Sequence, residues 1–267
     1  MELKGKRVLV VGLGRTGRDS ARFLAQQGAR VLVSDFRPAV ELRSEINELA
    51  DLAIEYQLGD TQWDDLAGVD YVIPSPGVAR ENILLREASA RRIPILSEIE
   101  LAYRFSRAPV IAITGTNGKS TTTTLVGEIL RAAGKKVFIG GNLGVPFISA
   151  VSHEWDWAVL EISSFQLEWV QQFRPQVAVL LNVSEDHLDR YASFAEYCAA
   201  KERIFAAQTS SDTAILNRDD ARVWEMRERL NARILAFGLD ELGTGVFADG
   251  DEIVWRDGAA EERFSIA

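Results

Sequence analysis

Ile113-Thr114-Gly115-Thr116-Asn117-Gly118-Lys119-Ser120-Thr121 is the stretch on which the reading of the fold turns. A short apolar run, Pro109-Val110-Ile111-Ala112-Ile113, leads into it, and a helical pattern over 119–133 follows. Strand, glycine-rich turn and helix N-terminus together make an anion cradle. Backbone N–H groups converge there with the positive end of the helix dipole, and the lysine adds a full charge. Ile113 stands where the common phosphate-loop pattern has its first glycine, so Gly115 and Gly118 must supply the loop's freedom. The plain alternative is a tight turn before a helix. The Gly118-Lys119-Ser120 ending favours a site for nucleoside-triphosphate phosphates.

The same grammar appears earlier in the chain. Arg7-Val8-Leu9-Val10-Val11 reads as a buried strand, Gly12-Leu13-Gly14-Arg15-Thr16-Gly17 follows, and a helical pattern then runs to residue 27, where Gly28 suits a left-handed cap. Arg30-Val31-Leu32-Val33-Ser34 is a second strand with Asp35 at its end. Val69-Asp70-Tyr71-Val72-Ile73 is another, stopped by Pro74-Ser75-Pro76-Gly77, with a helix over 80–91 and a strand over 93–96 beyond it. This alternation predicts an α/β fold with a parallel sheet and right-handed crossovers. Gly12, Gly14 and Gly17 with Asp35 match the dinucleotide fingerprint, which fits a nicotinamide-dependent oxidoreductase. The same turn serves any diphosphate at a helix N-terminus, or simply packs. No second dehydrogenase feature follows, whereas an ATP-type loop does. Residues 1–97 are therefore read as a Rossmann-like domain holding the diphosphate of a nucleotide-linked substrate.

A second domain, 98–267, alternates again. Val137-Phe138-Ile139 leads into Gly140-Gly141-Asn142-Leu143-Gly144. Trp157-Ala158-Val159-Leu160-Glu161-Ile162-Ser163 is a strand carrying Glu161 near its end. Val177-Ala178-Val179-Leu180-Leu181-Asn182-Val183 is another, followed by Ser184-Glu185-Asp186-His187-Leu188-Asp189-Arg190-Tyr191. Ligands of open α/β sheets collect beyond the carboxyl ends of strands, where this pattern puts the loop, Glu161 and His187. Each has an ordinary reading when taken singly: a solvated or capping carboxylate, a turn histidine and, for Lys201, a solvated helix lysine. The aromatics Trp155, Trp157, Phe165, Trp169, Phe173, Tyr191 and Phe194 read as packing.

Composition narrows the class. The 267 residues suffice for one large or two medium domains, and 47% hydrophobic with 26% charged residues is ordinary for a soluble globular chain. A net charge of -9 argues against general binding to nucleic acid or anionic membranes. The single cysteine, Cys198, excludes an intramolecular disulfide and suits a reducing cytoplasm. The N-terminus lacks a signal-peptide shape, and no apolar run approaches the roughly 20 residues that span a bilayer.

Taken together, the ordered motifs resemble the Mur ligase family. The motifs are the loop Gly115-Thr116-Asn117-Gly118-Lys119-Ser120-Thr121, the turn at 12–17, Ser75-Pro76-Gly77-Val78, Gly140-Gly141-Asn142-Leu143-Gly144, Leu160-Glu161-Ile162-Ser163-Ser164-Phe165-Gln166-Leu167, the 182–191 turn and Lys201. Within that family the set is most similar to the branch that joins D-glutamate to UDP-N-acetylmuramoyl-L-alanine in peptidoglycan precursors. The resemblance implies a UDP-substrate domain followed by a mostly parallel-sheet ATPase domain. The implied reaction is ATP-dependent amide synthesis through an acyl phosphate, in a cytoplasmic bacterial enzyme that is a monomer.

Site roles follow from the same resemblance. Residues 115–121 bind ATP, with Lys119 on the β- and γ-phosphates and Ser120 or Thr121 offering a hydroxyl to phosphate or Mg²⁺. Glu161 is the ligand of a first Mg²⁺ and His187 of a second. Lys201 is carbamylated, and its carbamate is an oxygen ligand for metal. Gly14, Arg15, Thr16, Asp35, Arg37, Ser75, Pro76 and Gly77 belong with the UDP end of the substrate, and Asn142, Ser163 and His187 with its muramoyl end. Two other classes remain open: the oxidoreductase, and a non-catalytic UDP-sugar sensor on a ligase scaffold. Family members continue well past the point where this chain stops. An adenine-contacting Gly-x-His-Asn-x-x-Asn segment and a D-glutamate-binding third domain are thus expected beyond Ala267, and residues 1–267 alone are expected to bind the UDP-linked substrate without turnover.

Overall fold

The computed structural model describes residues 1–59 and 66–266. The chain forms two compact units that are discontinuous in sequence. The first comprises Met1–Arg107, Gly144–Glu154 and Phe165–Phe173; the second comprises Ala108–Leu143, Trp155–Ser164 and Arg174–Ala267.

The first unit runs β1 (Arg7–Val11), α1 (Arg15–Gln26), β2 (Arg30–Asp35), α2 (Arg43–Glu48), β3 (Ile54–Leu58), β4 (Tyr71–Pro74), α3 (Ile83–Ala90) and α4 (Glu98–Tyr103). Its four strands lie in the order β3-β2-β1-β4, all parallel. Val8, Leu9 and Val10 of the central β1 are completely buried, as expected of a strand covered on both faces. Leu9, Leu32, Val72, Leu85 and Ile95 form the core beneath it.

Three expectations shift here. The strand over 93–96 is reduced to a single bridge between Ile95 and Val72, because Ser97 immediately begins α4 as its N-cap. The helix over 80–91 starts only at Ile83, since the Asn82 side chain accepts the Leu84 N–H at 3.0 Å and caps it. Pro74 is the last residue of β4, opposite Val11, so the strand ends on it instead of before it. It is tolerated because β4 is the outermost strand of this sheet and needs no further ladder donor there.

Two buried carboxylates attach the later chain segments to this unit. Glu100, fully buried, accepts the backbone N–H groups of Gln171 (2.8 Å), Gln172 (2.9 Å) and Phe173 (2.9 Å) and pairs with Arg104 at 2.6 Å. Glu98, also buried, accepts the Ile148 N–H through Oε1 at 2.6 Å. Burial pushes the Glu98 carboxyl up to about 7 against the backbone N–H groups of Ile148 and Phe147, and Asp19 on α1 adds to the rise.

A folded-state pKa above the unfolded value means that protonation stabilises the fold. That contribution is complete below pH 4.5 and is lost as the pH rises to about 7. Glu98→Gln removes the titration. Its stability relative to the unmodified protein should therefore improve by about 3 kcal/mol between pH 4.5 and 7.5. Denaturant titrations of both proteins across that range check this, and a pH-independent difference between them would refute it.

The second unit contains β5 (Val110–Thr114), α5 (Lys119–Ala132), β6 (Val137–Gly141), β7 (Trp157–Glu161), α6 (Ser164–Leu167, entering the segment that rejoins the first unit), β8 (Val177–Leu180), α7 (Phe194–Glu202), β9 (Thr213–Asn217), α8 (Ala221–Glu225), β10 (Arg233–Gly238), β11 (Gly245–Asp249), β12 (Glu252–Asp257) and β13 (Ala260–Ser265). The sheet order is β13-β12-β11-β10-β9-β8-β5-β7-β6. Strands β5 to β11 pair in parallel, and β11, β12 and β13 form an antiparallel meander at one edge. β13 is the last strand of this edge, and Ala267 lies outside the described residues. Ile113, Val137, Val159 and Val179 build the core around β5. Strands β7 and β8 end at Glu161 and Leu180, earlier than their apolar runs suggest, so Ile162, Ser163 and residues 181–183 lie in loops at the carboxyl edge. The architecture is the expected α/β one, a small parallel sheet followed by a mostly parallel one.

Candidate functional site

The loop between β5 and α5 is built as the sequence suggests and held by contacts that the sequence does not reveal. Gly118 is the N-cap of α5 at φ +83°, a left-handed conformation that suits glycine, and no side chain caps the helix. The N–H groups of the first turn of α5 thus face outward with the helix dipole behind them. Lys119 Nζ lies 3.0 Å from the Gly115 carbonyl and 2.8 Å from that of Thr116, curled over its own loop. The Thr116 hydroxyl accepts the Ser184 N–H at 3.0 Å and lies 3.2 Å from the Tyr197 hydroxyl.

Beside the loop, the buried Glu161 receives the Ser120 hydroxyl on Oε2 at 2.6 Å and the Asn142 amide on Oε1 at 2.7 Å. The Asn142 N–H also donates to the Glu161 carbonyl at 2.8 Å. Asn142 therefore orients this carboxylate. Lys201, on α7, is 1% exposed, and its Nζ donates to the Gly115 carbonyl at 2.7 Å. Lys119 and Lys201 thus meet at one carbonyl oxygen. Burial, and then the charge of Lys119, push the Lys201 ammonium down to about 7. The ordinary reading of Lys201 as a solvated helix lysine is excluded by this burial.

His187 occupies a left-handed conformation at φ +53° and is half exposed, 3.5 Å from Asp186. It joins the cluster through the Tyr197 ring, which it meets edge-on at 6.0 Å, and that ring also lies 4.6 Å from Lys201 Nζ. Thr121 is exposed in the first turn of α5, and Ser163 is half-buried two residues past Glu161. No cluster of three or more His, Cys, Asp or Glu suited to a metal exists among the described residues. A carboxylate and a hydroxyl in contact, at a phosphate-type loop, nevertheless fit a Mg²⁺ that takes its other oxygens from phosphate and water. The described surroundings of His187 offer a second ion much less.

The first unit carries the other turn. Gly17, in α1, lies so close to the Gly12 carbonyl that a β-carbon could not fit. The Ser75 hydroxyl donates to the same carbonyl at 2.8 Å. Asp35 Oδ2 accepts the Leu13 N–H at 2.7 Å and Arg37 NH2 at 2.9 Å, while Oδ1 accepts the Arg37 N–H at 2.9 Å. Burial raises the Asp35 carboxyl, but the Arg37 guanidinium and these N–H groups outweigh it and hold it below its ordinary value. Asp35 is thus a brace of the glycine turn and of Arg37. The α1 N-terminus at Gly14 has no side-chain cap, Arg15 reaches the Gly144 carbonyl at 2.7 Å, and Thr16 lies half-buried in the first turn. Pro76 and Gly77 continue the turn after Ser75 at the end of β4.

Asn182 and Tyr197 are residues of the site to which sequence reading gave no role. Asn182 stood at the head of the 182–191 motif, but its partners lie in a different loop. Tyr197 carries no local signal beyond its neighbourhood to Lys201.

Comparison with known proteins finds one family along most of the chain. Residues 6–97 match the Mur ligase MurD-like, N-terminal domain, and residues 113–258 match the Mur ligase middle domain. The chain is 50% identical over 259 residues to the UDP-N-acetylmuramoylalanine--D-glutamate ligase of Trichlorobacter lovleyi, covering 96% of this chain and 58% of that protein. It is likewise 50% identical over 270 residues to the enzyme of the same name from Geotalea uraniireducens, covering 100% and 60%. The chain therefore spans about three-fifths of the length of these relatives. In fold it is similar to the UDP-N-acetylmuramate:L-alanyl-gamma-D-glutamyl-meso-diaminopimelate ligase of Neisseria meningitides, with a TM-score of 0.59 at 17% identity over 98% of this chain and 85% of that one. With a phosphate loop, a braced glycine turn and both domain matches in register along one polypeptide, the chain belongs to the Mur ligase family.

Proposed function

We propose that the whole protein is an ATP-dependent, ADP-forming acid–amino-acid ligase that joins D-glutamate to UDP-N-acetylmuramoyl-L-alanine in peptidoglycan precursor synthesis. The observation that carries this reading is the convergence of Lys119, Ser120, Glu161 and the buried Lys201 on one phosphate-type loop. The two relatives at 50% identity support the choice of substrates. Residues 1–97 are assigned to the UDP end of the substrate and 98–267 to ATP.

In this reading the substrate's carboxylate attacks the γ-phosphorus of ATP, the bond to ADP breaks, and an acyl phosphate forms. The amine of D-glutamate then attacks the acyl carbon, and inorganic phosphate leaves with its electron pair. A carboxylate is a poor electrophile, so phosphorylation supplies the leaving group. The protein's contribution is in-line positioning and stabilisation of charge. Gly115, Thr116, Asn117 and Gly118 shape the loop, and the N–H groups at the start of α5 with Lys119 hold the phosphates. Glu161 and Ser120 would hold Mg²⁺, whose charge would offset that of the phosphate oxygens, and His187 would be a side-chain ligand to a second ion. Asn142 keeps Glu161 oriented and, with Ser163 and His187, faces the muramoyl end.

Carbon dioxide adds only to a neutral amine, and the lowered pKa of Lys201 supports its carbamylation to an anionic oxygen ligand. The braced turn at Gly14, Arg15 and Thr16, with Asp35, Arg37, Ser75, Pro76 and Gly77, receives the UDP end. No helix among the described residues is long and apolar enough to cross a membrane. A monomer in the bacterial cytoplasm, with no nucleic-acid or membrane partner, completes the proposal.

The test is phosphate release by the whole protein with ATP, Mg²⁺, UDP-N-acetylmuramoyl-L-alanine and D-glutamate. Lys201→Ala should lower turnover at least 100-fold, since losing one preorganised electrostatic group costs about that much. Near-normal turnover of the variant would sink the carbamate assignment. For the first unit, calorimetry on the chain should show UDP binding that weakens about 10-fold or more in Asp35→Ala, because the turn and Arg37 both lose their brace. Tight NADH binding in place of UDP would overturn the substrate assignment in favour of an oxidoreductase.

A further inference from the structure

Both polar atoms of the Asn182 side chain bond the phosphate loop. Oδ1 accepts the N–H groups of Thr116 at 3.1 Å and of Asn117 at 2.9 Å, and Nδ2 donates to the Asn117 carbonyl at 3.1 Å. The Asn182 backbone carbonyl accepts the Thr116 N–H as well, at 3.0 Å. This arrangement is set by the sheet. β8 pairs with β5 in parallel, with Leu180 opposite Thr114, and the Leu181 N–H adds one more ladder bond to the Thr114 carbonyl at 3.0 Å. Asn182 is therefore delivered alongside the loop at a fixed register, half-buried, just past the last paired strand residue.

The consequence concerns which donors face the anion. The N–H groups of Thr116 and Asn117 are turned toward Asn182. The N–H groups at the start of α5, where no side chain caps the helix, are left for the ligand together with Lys119. We infer that Asn182 is a positioning residue for the triphosphate: it holds the first half of the loop turned back so that the α5 N-terminus and Lys119 are pre-aligned on the phosphates. This rests on the ATP reading above and adds a residue to it. Asn182 touches the loop and acts through it. The energetic logic is preorganisation, in which a loop already ordered in its binding shape loses less freedom when the ligand arrives.

Two variants separate positioning from simple support of the fold. Asn182→Ala removes the clamp. Asn182→Asp keeps an acceptor for both N–H groups, loses the donor to Asn117 and adds a negative charge beside the cradle. The measurements are ATP affinity by calorimetry, KM for ATP against kcat in the whole protein, amide exchange at Thr116 and Asn117, and UDP binding as the control.

In Asn182→Ala, amide exchange at Asn117 should accelerate, and exchange at Thr116 should change less because the backbone carbonyl of residue 182 still accepts its N–H. ATP affinity should weaken about 10–100-fold with a matching rise in KM, the scale expected when reacting groups are misplaced by about an ångström. UDP binding should be unchanged. In Asn182→Asp the two amides should stay protected while ATP binds more weakly still, because the added charge opposes the phosphates. If the unmodified protein binds ATP and Asn182→Ala binds it equally well, the inference is overturned while the ATP reading stands. If the unmodified protein binds no ATP, the reading and the inference fall together.

Discussion

Lys119→Ala should reduce ATP-dependent amide formation by the whole protein about 10²–10³-fold or more, the loss seen when one preorganised donor to a developing charge is removed. Lys119 is the cation carried by the phosphate loop itself, and its Nζ already sits within 3.0 Å of two loop carbonyls. A short move from those carbonyls brings it to a phosphate. Transfer of the γ-phosphoryl group leaves negative charge on ADP, and alanine offers nothing to meet it. Lys119→Arg should restore little, because a planar guanidinium cannot act as a compact point charge inside a tight loop.

A second effect follows from geometry. The charge of Lys119 helps to depress the pKa of Lys201, so its removal raises that pKa and shrinks the fraction of neutral Lys201 amine near pH 7. Any residual activity of Lys119→Ala should therefore need a higher pH than that of the unmodified protein. Initial rates of phosphate release across pH 6–9 test both statements. Activity within about 10-fold of normal would contradict the role given to Lys119.

Glu100→Ala should destabilise the first unit by about 3–5 kcal/mol, the penalty for breaking a buried ion pair by deleting one partner. The deletion leaves the charge of Arg104, which is 13% exposed on its side chain, without its carboxylate, and it leaves the N–H groups of Gln171, Gln172 and Phe173 without their acceptor. Buried donors without partners each add to the loss. The melting temperature should fall by about 10 °C, and amide exchange at residues 171–173 should accelerate before exchange elsewhere in the unit. Glu100→Gln, which keeps one acceptor oxygen and loses the charge, should fall between the two. A shift of less than about 1 kcal/mol in Glu100→Ala would mean that the stretch 165–173 is held by its apolar contacts alone.

Much of the fold was legible in the sequence, and for a definite reason. Parallel strands covered on both faces read as continuous apolar runs, and β1, β2 and β5 sit where their runs predict. The turn after β1 and the helix it opens carry glycines that steric contact demands, as at Gly17 against the Gly12 carbonyl. The loop and Glu161 lie at the carboxyl edge of the sheet because a parallel sheet has only one such edge. The antiparallel meander β11–β12–β13 was not legible in the sequence. Its alternation of half-buried residues is weak, with β13 exposed throughout.

Local periodicity thus determined the parallel α/β architecture and the ends of the strands at which chemistry could gather. Partnerships between residues far apart in the chain were decided by the tertiary structure alone. Lys201 looks like any helix lysine until α7 packs it beneath the Gly115 carbonyl, and burial with a neighbouring cation brings its pKa to about 7. Asn142 and Asp35 read as ligand contacts by motif, yet they are also braces for Glu161 and for the glycine turn. The compact units cross the chain at residues 98–107, 144–154 and 165–173 because the buried Glu98 and Glu100 collect backbone N–H groups from distant segments. A hydrogen bond depends on distance in space, and the distance along the chain between Glu100 and Phe173, or between Lys201 and Gly115, carries no trace of it.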